Sequence, residues 1–215
     1  MHIEILVEDS SGEALLKEIL PKLINRNSDG HTCRVHSYKG IGRLPRDLNA
    51  KNDPAQRILL DQLPRILKVY GRTPGIDAVV VFLDSDKKNC IDFLTELNNL
   101  SAICHPEPNK IVFRLAIEEV EAWYFGDRTA LTQAYPRAKK TILDDYTQDR
   151  VCGTWEILAD AIYPGGSLAV KRTGWPLPGQ LKHEWAQKIA PLLDPDRNMS
   201  SSFKKLRDGL RRLTG

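Results

Sequence analysis

The chain has 215 residues, enough for one sizeable domain or for one domain with an appended lobe. Its formal net charge of +3 neither demands nor excludes a nucleic-acid partner, so the position of the basic residues carries the information. No apolar stretch approaches the roughly 20 residues that a bilayer span needs, and Cys33, Cys90, Cys104 and Cys152 form no close CxxC pair, which excludes a membrane span and a disulfide scaffold and points to a cytoplasmic protein with reduced thiols.

The opening HIEILVE predicts a strand over residues 2–7 rather than a targeting segment. SSGEALLKEILPKLI then places Leu15, Leu16, Ile19, Leu20, Leu23 and Ile24 on one stripe of a helix capped by Ser10 or Ser11. Pro21 lies inside that stripe and predicts a kink, or an early end followed by a restart. CRVHSY over 33–38 reads as the second strand. KGIGRLPRDLNAKND, rich in glycine, proline and charge, reads as a long basic loop that leads into a helix starting at Pro54 and carrying Ile58, Leu59, Leu63, Ile66 and Leu67. A strand ending at Asp84, a helix near 90–101 and a strand over 110–117 follow. Beyond residue 125 the pattern is mostly helical, with GTWEILADAIYPGG, KHEWAQKIAPLL and SSFKKLRDGLRRL separated by proline and glycine turns.

Strands that alternate with helices predict an α/β fold built on a mainly parallel sheet with helices on both faces, here with a helical C-terminal lobe. The expected division is an α/β domain over 1–125 and a helical extension over 126–215 packed on it. Trp155, Trp175 and Trp185 are expected to anchor that packing.

The run VVVFLDSDKKN at 79–89 carries the chemistry. Val79 to Leu83 form an unbroken apolar run, as in a strand covered on both faces. Continued extended geometry would point Asp84 and Asp86 to one side and Ser85 to the other, with the two Cα atoms roughly 6 to 7 Å apart. Two ionised acids in one small volume repel unless they are solvated, one keeps its proton, or a cation lies between them. Lys87 and Lys88 are weak candidates for that cation, and magnesium, which prefers carboxylate oxygens, is a better one. Sites in parallel sheets lie beyond the carboxyl ends of the strands. Acids occur at those ends: Glu8 and Asp9 after the first strand, Asp84 and Asp86 after the third, and Glu118, Glu119 and Glu121 after the fourth. HTCRVH at 31–36 raises the question of zinc, but His31 and Cys33 share a strand face that His36 does not, so these read as ordinary strand residues.

LVE with a following SGE, and then LDSD, on this alternating background, resemble the Toprim domain of topoisomerases, bacterial primases and overcoming-lysogenization-defect nucleases. IEEVEAW, SYKGIG, GTWEILADAIYPGG and SSSFKKLRDGLRRL resemble a narrower group of bacterial Toprim-like proteins often found with an ATPase. The resemblance implies that Glu8 binds metal or handles the proton of the reacting group, and that Asp84 and Asp86 are metal ligands. Magnesium, or manganese, is the implied cofactor. Many Toprim domains have a glycine directly after the glutamate, where this chain has Asp9. Glu13 matches an acid that often follows this loop, although an acid in a first helical turn also favours the helix dipole without any catalytic duty. Glu119 and Glu121 are further ligand candidates; the motif position beside Trp123 favours Glu121, and Glu119 stays open. Lys39 and Arg43, which flank Gly40 and Gly42, are candidates for holding phosphate oxygens while the glycines let the backbone approach. Lys204 and Lys205, with Arg207, Arg211 and Arg212, make the final helix basic and able to attract a phosphate backbone.

The implied function is metal-dependent hydrolysis of DNA or RNA, as the effector of a bacterial defence module whose ATPase lies on another chain, since no P-loop occurs here. The alternative is a non-catalytic Toprim-like subunit that binds nucleic acid or a partner ATPase. A phosphatase with Asp84 as nucleophile fits less well, because Lys87 and Lys88 follow where such enzymes carry Thr or Val.

Overall fold

The computed structural model describes residues 1–24, 30–45 and 53–215; of the expected basic loop, residues 46–52 lie outside the described residues. Its centre is a four-stranded sheet in the order β2-β1-β3-β4, with β1 (His2–Val7), β2 (Thr32–Ser37), β3 (Ala78–Asp84) and β4 (Ile111–Ala116). Every pairing is parallel, so the four carboxyl ends share one edge. The protein is therefore α/β, as the alternation predicts.

Strand parity sorts the core into two layers. Ile3, Ile5, Val7, Val80 and Phe82 face one side. Leu6, Val79, Val81 and Leu83 face the other, with α2 (Leu59–Tyr70) and α3 (Cys90–Ala102) against them. The first face carries α1 (Ser10–Leu23) and the helices that follow β4. These are α4 (Glu121–Gly126), α5 (Arg128–Ala134), α6 (Lys140–Asp145), α7 (Thr154–Ile162), α8 (Gly166–Thr173), α9 (Leu177–Ile189) and α10 (Ser201–Thr214). Trp123, Trp185 and Phe203 lie in the same buried cluster as Ile3 and Val80. The helical segment is thus the second half of one core, and Asp84, which shares the parity of Val80 and Phe82, faces it.

Several local expectations change. The cap of α1 is Asp9, whose Oδ1 accepts from the Gly12 amide at 2.8 Å, rather than Ser10 or Ser11. Carboxylates compete well for exposed helix amides, and Ser11 instead donates to Asp9. Helix α1 continues through Pro21 to Leu23; so close to the helix end, little hydrogen bonding remains to be lost. Pro54 opens only a 3-10 turn, Pro54–Gln56. Arg57 then takes a positive φ of 53°, which a helix cannot continue, and α2 begins at Leu59.

The tryptophans divide. Trp185 is buried and Trp155 half-buried, but Trp175 is 82% exposed and anchors nothing in the core. The basic final helix is partly neutralised, because Arg207 and Arg211 both pair with Asp196 and Arg207 also binds Asp208. No helix among the described residues is long and apolar enough to cross a membrane.

Candidate functional site

The carboxyl ends of β1 and β3 are hydrogen-bonded neighbours through Val7 and Phe82, and the acids that follow them meet. Glu8 Oε2 accepts from the Asp84 backbone amide at 3.3 Å. A gap of about 10 Å³, the size of one water-sized sphere, is lined by Glu8, Asp9, Gly12, Asp84 and Val120, among others. Burial, the charge of Asp9 and that of Asp86 push the Glu8 carboxyl up to about 7, against the Asp84 amide and Lys182. Asp84 is held well above the usual carboxylate range by burial, by Glu8 and by Glu121. Glu8 and Glu121 thus both act on Asp84.

Asp86 reaches this site by another route than extended geometry. β3 stops at Asp84, and Asp86 sits in the left-handed region at φ 48°, its amide donating to Glu118 O at 2.8 Å. Ser85 is buried; its amide donates to Ala116 O and its hydroxyl accepts from the Glu118 amide. This double tie between the β3 and β4 ends turns the chain. Asp86 is consequently exposed, with its charge still felt at Glu8.

The structure separates the acids of IEEVEAW. Glu118, at φ 60°, accepts from the Gly153 amide at 2.6 Å, the Thr154 amide at 3.0 Å and the Thr154 hydroxyl. Glu119 accepts from the Trp155 amide at 3.0 Å. Both carboxylates hold the start of α7, where unpaired amides and the helix dipole favour negative charge. Glu121, the first residue of α4, is 0% exposed, and neither of its carboxylate oxygens has a hydrogen-bond partner among the described residues. Burial pushes it up to about 7, with Lys182 opposing and Glu119 adding to the shift. Of the two candidates left open by the sequence, Glu121 is the one whose oxygens accept no hydrogen bond among the described residues.

Sequence reasoning missed Lys182. It comes from α9, inside KHEW, a stretch that shows only helical packing. Its Nζ lies 2.7 Å from Glu119 Oε1 and 3.6 Å from Glu121 Oε2. Burial alone would lower its pKa, but Glu121, Glu119 and Asp84 outweigh burial and hold the ammonium above the usual lysine range. Next to it, the His183 ring bonds Ser10 O at 3.1 Å, which ties α9 to the start of α1. Tyr124 was also missed. Its buried hydroxyl has no partner among the described residues and lies in the fields of Glu121, Asp9 and Asp84.

The remaining candidates lie at the rim or away from it. The Gly40 amide donates to Glu8 O at 2.8 Å, so Lys39 starts a loop beside the acids. At Gly40, with φ 121°, an added Cβ would meet nothing within 4 Å, leaving room for an approaching group. A Cβ at Gly42 would fall 2.1 Å from Ile58 Cγ2, so that glycine serves packing. Arg43 is exposed, and its amide bonds Asp61. Glu13 is committed elsewhere. Burial alone would raise it, but the bonds from Lys17 and Ser37 hold it below the usual range. Lys204 and Lys205 lie on α10, where Lys205 O accepts from Arg114, and neither forms an ion pair among the described residues. His31, Cys33 and His36 do not converge, because Cys33 packs on the α1 face while His36 Nε2 lies 2.5 Å from Glu4 Oε2.

A family model described as a domain of unknown function (DUF4276) matches residues 7–211. The chain belongs to the DUF4276 family. The DUF4276 match spans Glu8, Asp84, Asp86, Glu121 and Lys182, and so covers the acid cluster together with the helix that brings a cation to it. No curated protein and no solved structure matches the chain.

The donor set can be compared with what a cation needs. Among the described residues, no group of three acids is already arranged as a metal shell. The chemistry still suits a hard cation: the donors are all carboxylate oxygens, those of Glu121 are buried without a hydrogen bond among the described residues, and Glu8 and Glu121 both raise Asp84. A second positive charge beside Lys182 would relieve that repulsion.

Proposed function

We propose that the protein is a Toprim-like, magnesium-dependent phosphodiesterase acting on DNA or RNA. The observation that carries this reading is the gathering of Glu8, Asp84 and Glu121 at the carboxyl edge of a parallel sheet, where Glu8 accepts from the Asp84 amide and the charges of Glu8 and Glu121 both bear on Asp84. Half-buried and buried acids with raised pKa values, clustered at such an edge, are what metal-assisted chemistry uses.

Glu8, Asp84 and Glu121 would hold magnesium or manganese, with Asp86 at the exposed margin. The bound ion supplies charge stabilisation at the phosphate and an activated water. In the alternative division of roles Asp84 and Glu121 hold the ion, and Glu8 takes or returns the proton of the reacting group. Lys182 holds Glu119 at 2.7 Å and limits repulsion while the acids gather. Lys39 and the open backbone at Gly40 lie where a phosphate can approach Glu8. The chain carries no P-loop, so an ATP-driven step in a defence module would fall to a separate ATPase subunit. The four free cysteines suit a cytoplasmic setting.

Incubation of plasmid, linear and single-stranded substrates with magnesium or manganese tests the reading. Cleavage is expected for the wild type, with a loss of at least about 100-fold in Glu8→Gln and Asp84→Asn. Cutting that survives both substitutions rejects the assignment.

The ion pairs of Lys182 with Glu119 and Glu121 favour a second reading, in which the acids are structural and the protein is a non-catalytic subunit. Titration calorimetry with magnesium separates the two. Heat that disappears in Asp84→Asn supports the metal site, and no heat in the wild type supports the subunit.

A further inference from the structure

Trp175 is the one tryptophan whose ring is left largely to solvent. It lies between α8 and α9 and is 82% exposed, more than any other large hydrophobic residue among those described. The edge of its ring rests on α9 at Gly179: a Cβ there would fall 2.9 Å from Trp175 Cη2 and 3.3 Å from Cζ3. Gly179 lies in the first turn of α9, and its missing side chain lets the indole lie against the helix.

The position of the ring gives it meaning. Gly179 and Lys182 are three residues apart on α9, so they share a helix face, and they lie roughly 5 Å apart along the axis. Lys182 enters the acid cluster, and the exposed indole therefore stands one helical turn from it. The last turn of α8 adds Lys171 and Arg172, both exposed. Lys171 pairs with Glu156 at 3.1 Å, whereas Arg172 forms no ion pair among the described residues. An aromatic face, an unpaired cation and a path along one helix to a group of acids match a nucleic-acid strand with unpaired bases. A base stacks on the ring, the adjacent phosphate meets the cation, and the next phosphate lies toward the acids. A base-paired duplex keeps its bases stacked inside and cannot use the ring in this way.

We infer that Trp175 is a stacking platform for an unpaired base, and that the strand it holds is single-stranded DNA or RNA led along α9 toward the acid cluster. The destination rests on the proposed phosphodiesterase reading; the binding does not.

The test is fluorescence anisotropy with fluorescein-labelled oligo(dT) and oligo(U) dodecamers and a blunt DNA duplex of the same length, in EDTA at low salt. The wild type is expected to bind a single-stranded dodecamer more tightly than the duplex, with quenching of tryptophan emission. Trp175→Ala is expected to lose at least about fivefold in single-strand affinity, Trp175→Phe to keep most of it, and duplex binding to stay unchanged. The comparison of oligo(dT) with oligo(U) assigns DNA or RNA. Because the ring is exposed, these variants should melt like the wild type. Equal single-strand affinity in wild type and Trp175→Ala overturns the inference and leaves the surface to a protein partner; an equal loss on duplex overturns it too, because the ring would then serve nucleic acid without stacking on an unpaired base. Trp175-dependent binding without any cleavage leaves the inference standing while the phosphodiesterase reading falls. Cleavage with Trp175-independent binding does the reverse.

Discussion

Lys182 is the residue on which the acid cluster depends electrically. Its ammonium is the cation that faces Glu119 and Glu121, and its field reaches Asp84 and Glu8. Removing one partner of a buried pair leaves an uncompensated charge, which costs about 3–5 kcal/mol. Lys182→Met should therefore lose stability in that range at pH 8 and much less at pH 5, where the raised carboxyls hold protons and need no partner. Urea unfolding at the two pH values measures the difference, and an equal loss at both would remove Lys182 from this role. A related expectation concerns the wild type. Glu8 and Glu121 titrate near 7 when folded and close to ordinary glutamate, roughly 4.3, when unfolded. Between those values the folded state binds more protons than the unfolded chain, so their contribution falls as pH rises through about 7. Without divalent ions the melting temperature should drop from pH 5 to pH 8, and magnesium should recover more of it at pH 8 than at pH 5. Scanning calorimetry with EDTA or magnesium reads both slopes.

At the scale of elements, helix α7 is held by carboxylates from a distant turn. Glu118 and Glu119 accept from the amides of Gly153, Thr154 and Trp155, so IEEVEAW and GTWEI form one structural unit. Glu118→Ala should cost about 1–2 kcal/mol, the value of a lost cap. Glu118→Gly should cost less, because the φ of 60° strains any residue with a Cβ. Denaturant midpoints for the two variants decide, and an alanine variant as stable as the glycine one would show that φ contributes nothing. This unit also marks where the sequence stops being legible. The strands could be read because β-branched runs and acids at strand ends are local signals, and Glu8 and Asp84 were found that way. Nothing near Glu118, Glu119 or Glu121 distinguishes an acid that caps a helix over thirty residues away from one that faces a buried site. Lys182 and Tyr124 left no trace because an ordinary helical lysine and an aromatic beside Trp123 acquire their roles only through tertiary contact. Extended geometry does not describe Asp86, because a left-handed turn after β3 carries it to the surface.

At the scale of the molecule, the boundary near residue 125 follows the end of strand and helix alternation, and the packing crosses it. Ile3, Ile5, Val80 and Phe82 on the sheet share one buried cluster with Trp185, Phe203, Leu206 and Leu210 from the helical segment. Trp123 packs between Phe82 and Phe203, with ring centroids 4.9 and 5.1 Å away, and its Nε1 donates to Ser202 at 2.8 Å. Lys22 of α1 donates to the carbonyls of Pro191 and Leu193, which fixes the end of the α9 segment to the first helix. A fragment of residues 1–125 would thus expose one whole face of its sheet, at a cost of roughly 25 cal/mol for each Å² of apolar surface returned to water. A domain is only marginally stable, by about 5–15 kcal/mol, and loss of a few large side chains from such a core exceeds that margin. The fragment is expected to lack cooperative unfolding and to bind a dye for exposed apolar surface, while the full chain unfolds in one transition with coincident far-UV and tryptophan signals. A fragment that melts cooperatively and binds no dye would instead make the sheet a self-sufficient domain. The acid site could then exist without Lys182, and the charge balance argued for Glu119 and Glu121 would have to be found within the first 125 residues.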